Sequence, residues 1–334
     1  MPESIASSVV VITGASGGVG RATAREFAKN GYKVALLARG EAGLEGARRD
    51  VEALGGEALV IKTDVSDYAQ VEHAAQQVED TFGPIDVWVN NAMQSVFSPF
   101  EQMTPEEFER VVDVTFLGMV YGTMAALKRM KPRNRGTIVL VGSALAYRGI
   151  PLQSAYCSSK HATNGFFDSV RSELFHDNSD VHLTMVHLSA INTTQFNWVK
   201  SRLPKKGKPM GKIYQPEVPA QAIYYAAHNK RRTVFVGAGP LQTSLGNTFI
   251  PAVLDRLLAK VGYSGQQTHQ PENFDRPHNL WEPIAEDRGA HGSFDDEAKE
   301  SSLEVQATTH RGVTAAVAAG VAFSVAGLVY LFRS

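Results

Sequence analysis

Two residues four positions apart, Tyr156 and Lys160, have the types and the spacing that carbonyl chemistry requires. A tyrosine has a pKa of about 10 in water and is a poor acid or base at neutral pH. A cation beside it stabilises the phenolate and lowers that pKa. Residues four apart lie on one face of a helix, so a helix would hold the ammonium beside the phenol. Such a hydroxyl can protonate a carbonyl oxygen while hydride is delivered, or deprotonate an alcohol.

Ser143 follows the predicted strand 137–141 directly, so its hydroxyl can point into the same crevice and hydrogen-bond the substrate oxygen. Taken alone, a Tyr-x3-Lys pair is common by chance and also fits an exposed helix surface. The elements around the pair therefore decide between these two interpretations.

A glycine-rich loop lies between a predicted strand, 8–13, and a predicted helix, and it reads Thr13-Gly14-Ala15-Ser16-Gly17-Gly18-Val19-Gly20. In this spacing the first glycine permits a tight turn, the second lets the backbone approach a pyrophosphate, and the third permits close helix–strand packing. The helix that follows offers free N–H groups and the positive end of its dipole. The loop therefore predicts a dinucleotide site.

The cofactor preference is predicted from the end of the second strand, where Arg39 follows Leu37 and Ala38. NAD-binding folds place an acid near here for the ribose 2′-hydroxyl, whereas an arginine suits the 2′-phosphate of NADP. No acid occupies residues 32–38. The sequence thus favours NADP, with NAD as the less favoured cofactor.

Short apolar runs alternate with helical patterns through most of the chain, and this rhythm predicts an α/β fold. The predicted strands are 8–13, 33–38, 58–62, 86–89, 137–141, 181–188 and 233–236. Such alternation is typical of a Rossmann-type doubly wound parallel sheet with helices on both faces. In such folds ligands bind beyond the carboxyl ends of the strands, so the residues just after each strand are the informative ones.

Taken together, these motifs resemble the short-chain dehydrogenase/reductase family over roughly residues 8–240. The set comprises Thr13–Gly20, Asp64 after strand three, Asn90-Asn91-Ala92 after strand four, Ser143, and Tyr156 with Lys160. The resemblance implies a Rossmann fold with a bound NAD(P) and assigns Tyr156 as the general acid/base and Ser143 as the residue that orients the substrate. It also implies that Lys160 binds the nicotinamide ribose and lowers the pKa of the tyrosine.

By the same resemblance, residues Thr13, Gly14, Ser16, Gly17, Gly18, Val19 and Gly20 would bind the cofactor. Asp64 and Val65 would flank the adenine, and Asn91 and Ala92 would support the cofactor loop. Arg39 matches the pattern of the NADP-preferring members.

Three departures from the family pattern affect the expected chemistry. The asparagine of the family's proton relay aligns with Thr115, which holds a water less fully. The usual glycine after Asn-Asn-Ala is Met93, and the Pro-Gly after strand six is Ser189-Ala190. Thr193 still follows and is expected to contact the nicotinamide carboxamide.

The segment from Thr194 to Tyr214 occupies the position of the family's substrate lid. Its aromatic residues, including Phe196 and Trp198, are expected to wall an apolar substrate pocket. The segment is also basic and has no acid, with Lys200, Arg202, Lys205, Lys206, Lys208 and Lys212. These charges suit either an anionic membrane surface or a solvated mobile loop.

Composition excludes several classes of protein. The chain has 334 residues with 43% hydrophobic and 20% charged residues, which is typical of a globular protein. The net charge of −1 argues against a general nucleic-acid binder. A single cysteine, Cys157, excludes an intrachain disulfide and a CxxC-type zinc or redox site. We therefore expect no metal and no nucleic acid.

The charge is distributed unevenly and predicts three regions. Residues 1–263 carry a net charge of +4 and form the predicted dehydrogenase/reductase domain, whereas residues 264–312 carry −6 and are predicted to be an acidic flexible tether. Residues 313–332 contain no charge and are long enough to span a bilayer as a helix. Since no apolar run opens the chain, we expect a single-pass C-terminal anchor and a cytoplasmic catalytic domain.

A row of small residues at Ala316, Gly320 and Ser324 leaves open a homodimer through the predicted anchor, and a buried soluble or oligomerisation helix is the alternative for that run. The sequence predicts an NADP(H)-dependent oxidoreductase for an apolar or lipid-like carbonyl/alcohol pair. The alternative is a catalytically weak NADP-binding regulatory or scaffold protein at a membrane.

Overall fold

The computed structural model describes residues 8–310 and contains a seven-stranded, fully parallel sheet of order β12-β7-β6-β4-β1-β2-β3. The strands are β1 Val9–Thr13, β2 Lys33–Ala38, β3 Ala58–Lys62, β4 Ile85–Asn90, β5 Val96–Phe97, β6 Thr137–Ser143, β7 His182–Leu188, β8 Ala190–Ile191, β9 Lys200–Ser201, β10 Lys205–Gly207, β11 Ile213–Tyr214, β12 Thr233–Val236 and β13 Gln267–Pro271. This is the α/β Rossmann-like fold that the alternating pattern predicts. The predicted transmembrane helix, 313–332, lies outside the described residues.

The central strand β1 shows why these runs form a sheet that is buried on both faces. All five of its residues are buried. Val10 and Ile12 pack into the core on one face, whereas Val9 and Val11 pack into the core on the other. Because successive side chains of β1 point to opposite faces and both faces are buried, its sequence is a continuous apolar run.

The two faces are covered by helices, of which α1, α2 and α7 pack on one face and α3, α5 and α6 on the other. The helices are α1 Gly18–Lys29, α2 Glu41–Ala53, α3 Tyr68–Phe82, α4 Pro105–Val112, α5 Gly118–Arg133, α6 Ser154–His176, α7 Glu217–His228, α8 Gly239–Phe249, α9 Pro251–Gly265 and α10 Leu303–Thr309. The strand order reverses between β1 and β4, so the loops after these two strands diverge and leave a crevice at the carboxyl edge.

Helix α4 begins with a capping box. The Thr104 side chain accepts a hydrogen bond from the N–H of Glu107 at 3.3 Å, and the Glu107 carboxylate accepts one from the N–H of Thr104 at 3.1 Å. Between α4 and α5 the backbone forms a π-helical segment, Asp113–Leu117. A π segment rotates the side chains that follow it, and it is frequent at functional sites.

The stretch Pro105–Arg133 is the one helical stretch among residues 8–310 with the length and hydropathy of a membrane span. Half of its most apolar window is buried. Val114, Met119, Ala125 and Met130 of this stretch belong to the core on one face of the sheet. This packing is typical of the core helix of a globular domain.

The expectation of a poorly structured tether over residues 264–312 is wrong for the part that the structure describes. Strand β13 pairs antiparallel with β10, and α10 packs near β12. Leu280, Ala290 and Phe294 are buried against the domain. The missing helical period does not prevent ordering, because an extended segment can satisfy its polar groups by contacts with the domain instead of by its own secondary structure.

The basic segment 194–214 is also held more firmly than its sequence indicates. Lys200 and Arg202 bind the carboxylate of Glu107 with N···O distances of 2.6 and 2.8 Å. Glu107 is 1% exposed and belongs to α4, so the acid that pairs with this basic segment lies outside it in the sequence. Two of its six cations thus share one buried carboxylate on α4, whereas Lys205 and Lys206 are exposed.

Glu107 generates a prediction about stability and pH. Burial opposes its ionisation, but hydrogen bonds from Arg202 and Lys200 lower its pKa to about 2. A lowered pKa stabilises the folded state above the ordinary carboxyl pKa, and that contribution is lost as the pH falls from about 4.5 to about 2. We expect Glu107→Gln to reduce the free energy of unfolding at pH 7 by about 2 to 3 kcal/mol and to flatten the pH dependence in that range.

Chemical denaturation of both proteins between pH 7 and pH 3 measures this effect. The exposed neighbour Glu109 provides the control, because Glu109→Gln removes the same charge from the same helix without breaking this ion pair. Equal unfolding free energies for the two variants would contradict the prediction.

Candidate active site

The three residues singled out for chemistry converge where β6 meets the start of α6. Ser143 is the last residue of β6, and α6 places Tyr156 and Lys160 one turn apart. The Lys160 ammonium lies 5.7 Å from the centre of the Tyr156 ring and donates a hydrogen bond to the Val141 carbonyl at 2.7 Å. The Ser143 side chain lies close enough to Tyr156 to lower the pKa of the phenol. This arrangement brings a phenol, an ammonium and a second hydroxyl to one place.

The pKa of Tyr156 differs in direction from the sequence-based expectation. Burial raises the pKa of Tyr156 to about 12, and the nearby Ser143 side chain offsets this only in part. Burial also lowers the pKa of Lys160 to about 8. Desolvation disfavours both charged forms and here exceeds the help that the ammonium gives the phenolate. At neutral pH, therefore, the phenol of the described structure carries its proton.

A cavity of about 880 Å³ adjoins these residues and extends along the carboxyl edge of the sheet. The residues predicted for the site that line it are Gly14, Ser16, Gly17, Gly18, Val19, Arg39, Asp64, Val65, Asn91, Ala92, Ser143, Tyr156, Lys160, Thr193, Phe196 and Trp198. Its volume is in the range of small-molecule and cofactor sites. One continuous cavity thus joins the glycine loop to Tyr156.

The glycine loop fits the backbone-lined cradle that a dinucleotide requires. Gly14 has a φ of +67°, and a Cβ there would lie 2.9 Å from Cα of Ala92. A Cβ on Gly20 would lie 2.2 Å from the Gly14 carbonyl oxygen. Helix α1 begins at Gly18 without a side-chain cap, and the Gly18 N–H donates to the Gly289 carbonyl at 3.3 Å, so the N–H groups that follow it in the first turn are the ones available for an anion. These residues would hold the pyrophosphate.

Thr13 and Gly20 do not line the cavity but hold the loops around it in place. The Thr13 hydroxyl accepts hydrogen bonds from the N–H groups of Asn91 and Ala92 at 2.9 and 3.1 Å. The Asn91 side chain in turn donates to the Thr13 carbonyl at 2.9 Å. These bonds tie the loop after β4 to the loop after β1, as the expected supporting role of Asn91 requires.

Arg39 and Asp64 lie at the opposite end of the cavity from Tyr156, but each has a protein partner that the sequence did not indicate. Arg39 donates hydrogen bonds to the backbone carbonyls of Trp281 and Asn279. Asp64 pairs with Arg110 at 2.6 Å. Burial opposes its ionisation, yet hydrogen bonds from Arg110 and Ser66 hold the pKa of Asp64 below its usual range.

Thr115, the expected relay position, is engaged in a structural role. Its hydroxyl accepts a hydrogen bond from the N–H of Gln94 at 2.9 Å and donates one to the Gln94 carbonyl at 3.0 Å. The side chain is fully buried in the π-helical segment. Since its single donor is used, Thr115 fixes the loop after Met93.

The segment after β7 contributes residues beyond those predicted. Thr193 lines the cavity beside Gly18 and forms a backbone bridge with His291. Thr194 is 1% exposed, lines the same cavity next to Gly17, and its hydroxyl has no hydrogen-bond partner among residues 8–310. An orphaned buried hydroxyl is expected to bind a ligand or a water. The sequence offers two consecutive threonines, and nothing in their spacing distinguishes them.

Other residues at the site were missed because their partners are distant in the sequence. Gln94 donates to the Asn279 carbonyl at 2.7 Å, and Arg110 donates to the Leu280 carbonyl at 3.2 Å. Arg288 lines the cavity from the C-terminal segment. The sequence offers one signal for contacts between these regions, namely the opposite net charges of residues 1–263 and residues 264–312.

Comparison with known proteins agrees with this geometry. Residues 8–203, more than half of the chain, match the family described as short chain dehydrogenase. An uncharacterized oxidoreductase, YxnA, of Bacillus subtilis is 34% identical over 323 residues, which cover 96% of this chain and 90% of that protein. The 3-dehydrosphinganine reductase of Danio rerio is 32% identical over 66% of this chain and 69% of its own length.

Two solved structures show the same fold. An alcohol dehydrogenase of the archaeon Thermococcus sibiricus, complexed with 5-hydroxy-NADP, has a TM-score of 0.59 and 30% identity over 69% of this chain and 95% of its own. A metagenomic short-chain oxidoreductase in complex with NADP has a TM-score of 0.59 and 26% identity, over 69% and 96% of the two chains.

Thr115 allows the structural and relay roles to be separated. We expect Thr115→Val to lower the free energy of unfolding by about 1 to 2 kcal/mol, because both backbone groups of Gln94 lose a buried partner. Thr115→Ser keeps the hydroxyl and should lose less. Thermal or urea unfolding measures the difference, and a Thr115→Val protein of unchanged stability but strongly reduced turnover would instead indicate a relay.

Proposed function

The chain belongs to the short-chain dehydrogenase/reductase family and is an NAD(P)-dependent oxidoreductase, and we propose that it uses NADP(H) to interconvert an apolar, lipid-like carbonyl compound and its secondary alcohol. The observation that carries this proposal is the convergence of Ser143, Tyr156 and Lys160 on the cavity that the glycine loop also lines. A pure nucleotide-binding protein has little need of a buried phenol beside an ammonium.

In the reductive direction a bound nicotinamide supplies hydride to the carbonyl carbon. The Tyr156 hydroxyl donates its proton to the carbonyl oxygen, and the Ser143 hydroxyl hydrogen-bonds the same oxygen and orients it. The Lys160 ammonium stabilises the phenolate that remains. Tyr156 carries its proton at neutral pH, which is the form that the reductive direction uses.

The preference for NADP rests on positive charge at the end of the cavity opposite the tyrosine. Arg39 is buried enough that desolvation lowers its pKa, and Arg110 lowers it further. The Arg39 guanidinium, near the expected adenosine ribose, suits a 2′-phosphate better than a 2′-hydroxyl. The NADP-type ligands of the two structural neighbours support the same choice.

The apolar character of the substrate is inferred from the wall of the cavity near Tyr156. Apolar side chains from the segment after β7 and from α9 line it, and these are Phe196, Val199, Met210, Leu254 and Leu258. The Trp198 ring lies instead beside Gly17 of the glycine loop. The names of similar proteins, 3-dehydrosphinganine reductase of Danio rerio and 3-ketodihydrosphingosine reductase of Bos taurus, state ketones derived from long-chain lipids. These names support a lipid-like ketone as the substrate class.

We further propose that the protein is attached to a membrane, with its catalytic domain in the cytoplasm. Helices α8 and α9 expose Leu241, Leu245, Phe249, Ile250, Val253, Leu257, Val261 and Tyr263. Leu254 and Leu258 on the same helix pair line the cavity. With the uncharged run 313–332 following in the chain, the bilayer is the occupant that this exposed face fits, and a membrane-dissolved ketone would then enter beside α9.

Tyr156→Phe is the direct test of the chemistry. It removes the proton donor and keeps the ring, so we expect turnover with NADPH and a panel of ketones to fall by about 10² to 10⁴. NADPH affinity should stay within about twofold, since the cradle is unchanged. Parallel assays should give a higher KM for NADH than for NADPH, because NADH lacks the 2′-phosphate that Arg39 is proposed to bind.

Tyr147→Phe is the matched control. The Tyr147 hydroxyl contacts Nε2 of His187 at 3.0 Å, outside the cavity lining. Its removal should leave the turnover of ketones within a fewfold of wild type. Full activity in Tyr156→Phe would refute the assignment of the acid, whereas NADPH binding without turnover of any ketone or alcohol would favour a regulatory binding protein.

The membrane proposal is tested by comparing the full chain with a chain that ends at His310. We expect the full chain to sediment with membranes and to require detergent for release, because about 20 apolar residues span the hydrocarbon layer. The shortened chain should be released from membranes by salt or alkaline washing, whereas the full chain should stay bound. A full chain that stays in the supernatant without detergent would refute the anchor.

A further inference from the structure

The C-terminal segment 279–292, here called the strap, crosses the mouth of the nucleotide cleft. Its carbonyls at Asn279 and Trp281 accept hydrogen bonds from Arg39, after β2. Its Gly289 carbonyl accepts one from the N–H of Gly18, the first residue of α1, at 3.3 Å. The strap therefore spans from the expected 2′-phosphate position to the expected pyrophosphate position.

The N-terminal end of the strap is fixed to the segment 194–214. The N–H of Asn279 donates to the Trp198 carbonyl at 3.0 Å. Leu280 is fully buried and packs with Val96, Val111 and Ala155. Its side chain thus points into a hydrophobic cluster beside α6, so this end of the strap is anchored by apolar burial as well as by hydrogen bonds.

The second end is fixed by charge. Asp287 pairs with Arg21 of α1, whose side chain is 6% exposed. His291 contacts the carboxylates of Glu217 and Asp295 at 3.0 and 2.9 Å, respectively. Buried and networked ion pairs hold a segment more firmly than isolated surface pairs do.

The cleft beneath the strap remains open. Asn279, Pro283, Ile284, Glu286 and Arg288 line the same cavity as Gly14 and Tyr156. The strap covers this space and touches the glycine loop where the Gly289 carbonyl accepts the hydrogen bond from Gly18. A dinucleotide bound there would lie between the strap and the glycine loop and would displace that contact. Exchange of the cofactor would then require the strap to open.

Arg288 is the cationic side chain that the strap adds to this cavity. Its Nη2 pairs with the exposed Glu286 at 3.0 Å, and its Nε is buried with no hydrogen-bond partner among residues 8–310. The adjacent Gly289 contacts the N-terminus of α1. A guanidinium with an unused donor beside a helix N-terminus is complementary to a phosphate.

On the basis of the proposed function, we propose that the strap is part of the cofactor site: it closes over the adenosine half of a bound dinucleotide, Arg288 binds the phosphates, and strap opening limits cofactor exchange. The strap carbonyls also set the position of Arg39. Because the strap lies outside the matched family region, 8–203, the residues that bind the cofactor extend beyond that region.

The role of Arg288 is tested by titrating the full chain with NADPH, and in parallel with NADH, while following cofactor fluorescence. We expect Arg288→Ala to raise the Kd of NADPH about tenfold and to reduce its salt dependence, because a charge-assisted contact is lost. Arg288→Lys should lie between that variant and wild type. Arg256→Ala, which removes an exposed charge from α9, should leave the Kd unchanged.

Closure of the strap is tested with Asp287→Asn, which breaks the pair with Arg21. We expect the dissociation rate of NADPH, measured by displacement in a stopped-flow instrument, to rise at least about tenfold, with faster association as well. Asp296→Asn, an exposed change in the same tail, is the control. Thermal unfolding of both variants establishes that they remain folded.

Each outcome decides between the alternatives. Unchanged Kd and rates in Arg288→Ala and Asp287→Asn would refute the strap and leave the proposed reductase intact. Tighter binding in Asp287→Asn would also refute it, since the strap would then obstruct the cofactor. A wild-type protein that binds neither NADPH nor NADH would refute the proposed function itself.

Discussion

The buried ammonium of Lys160 is the interaction on which the catalytic geometry depends. The side chain is 2% exposed and its hydrogen-bond partner is the Val141 carbonyl, a neutral group. Placing a cation there is costly, as the lowering of its pKa to about 8 shows. Val141 lies two residues before Ser143 on the same strand, so the end of β6 fixes the ammonium and the Ser143 hydroxyl together. The position of Tyr156 one helical turn away then follows from α6.

The opposite end of the cavity is organised by a different balance of charge. Burial lowers the pKa of Arg39 and the nearby Arg110 lowers it further, and Asp64 pairs with Arg110. Backbone carbonyls of the strap satisfy the donors of Arg39 without neutralising its charge. Such a site keeps its affinity for an anion, whereas a carboxylate partner in the same place would compete with a phosphate.

Much of the domain could be predicted because local sequence and burial agree there. The predicted strand 33–38 matches Lys33–Ala38, and the predicted strand 58–62 matches Ala58–Lys62. By contrast, the raised pKa of Tyr156 and the use of Thr115 to hold Gln94 depend on burial and on residues distant in the chain. A motif indicates which groups meet, but the surrounding dielectric sets their protonation.

The C-terminal tail shows how a polar segment can be ordered without a sequence period. Its excess of acid, which resembles that of a flexible linker, is complementary to the positive charge of the preceding domain. Asp287 meets Arg21, and Asp295 lies within hydrogen-bond distance of the Asn192 and Gln215 amides. Composition alone describes a chain in water, where such charges favour solvation. Opposite net charges on consecutive regions indicate that the two regions can bind each other, and here that binding carries residues 279–292 across the nucleotide cleft.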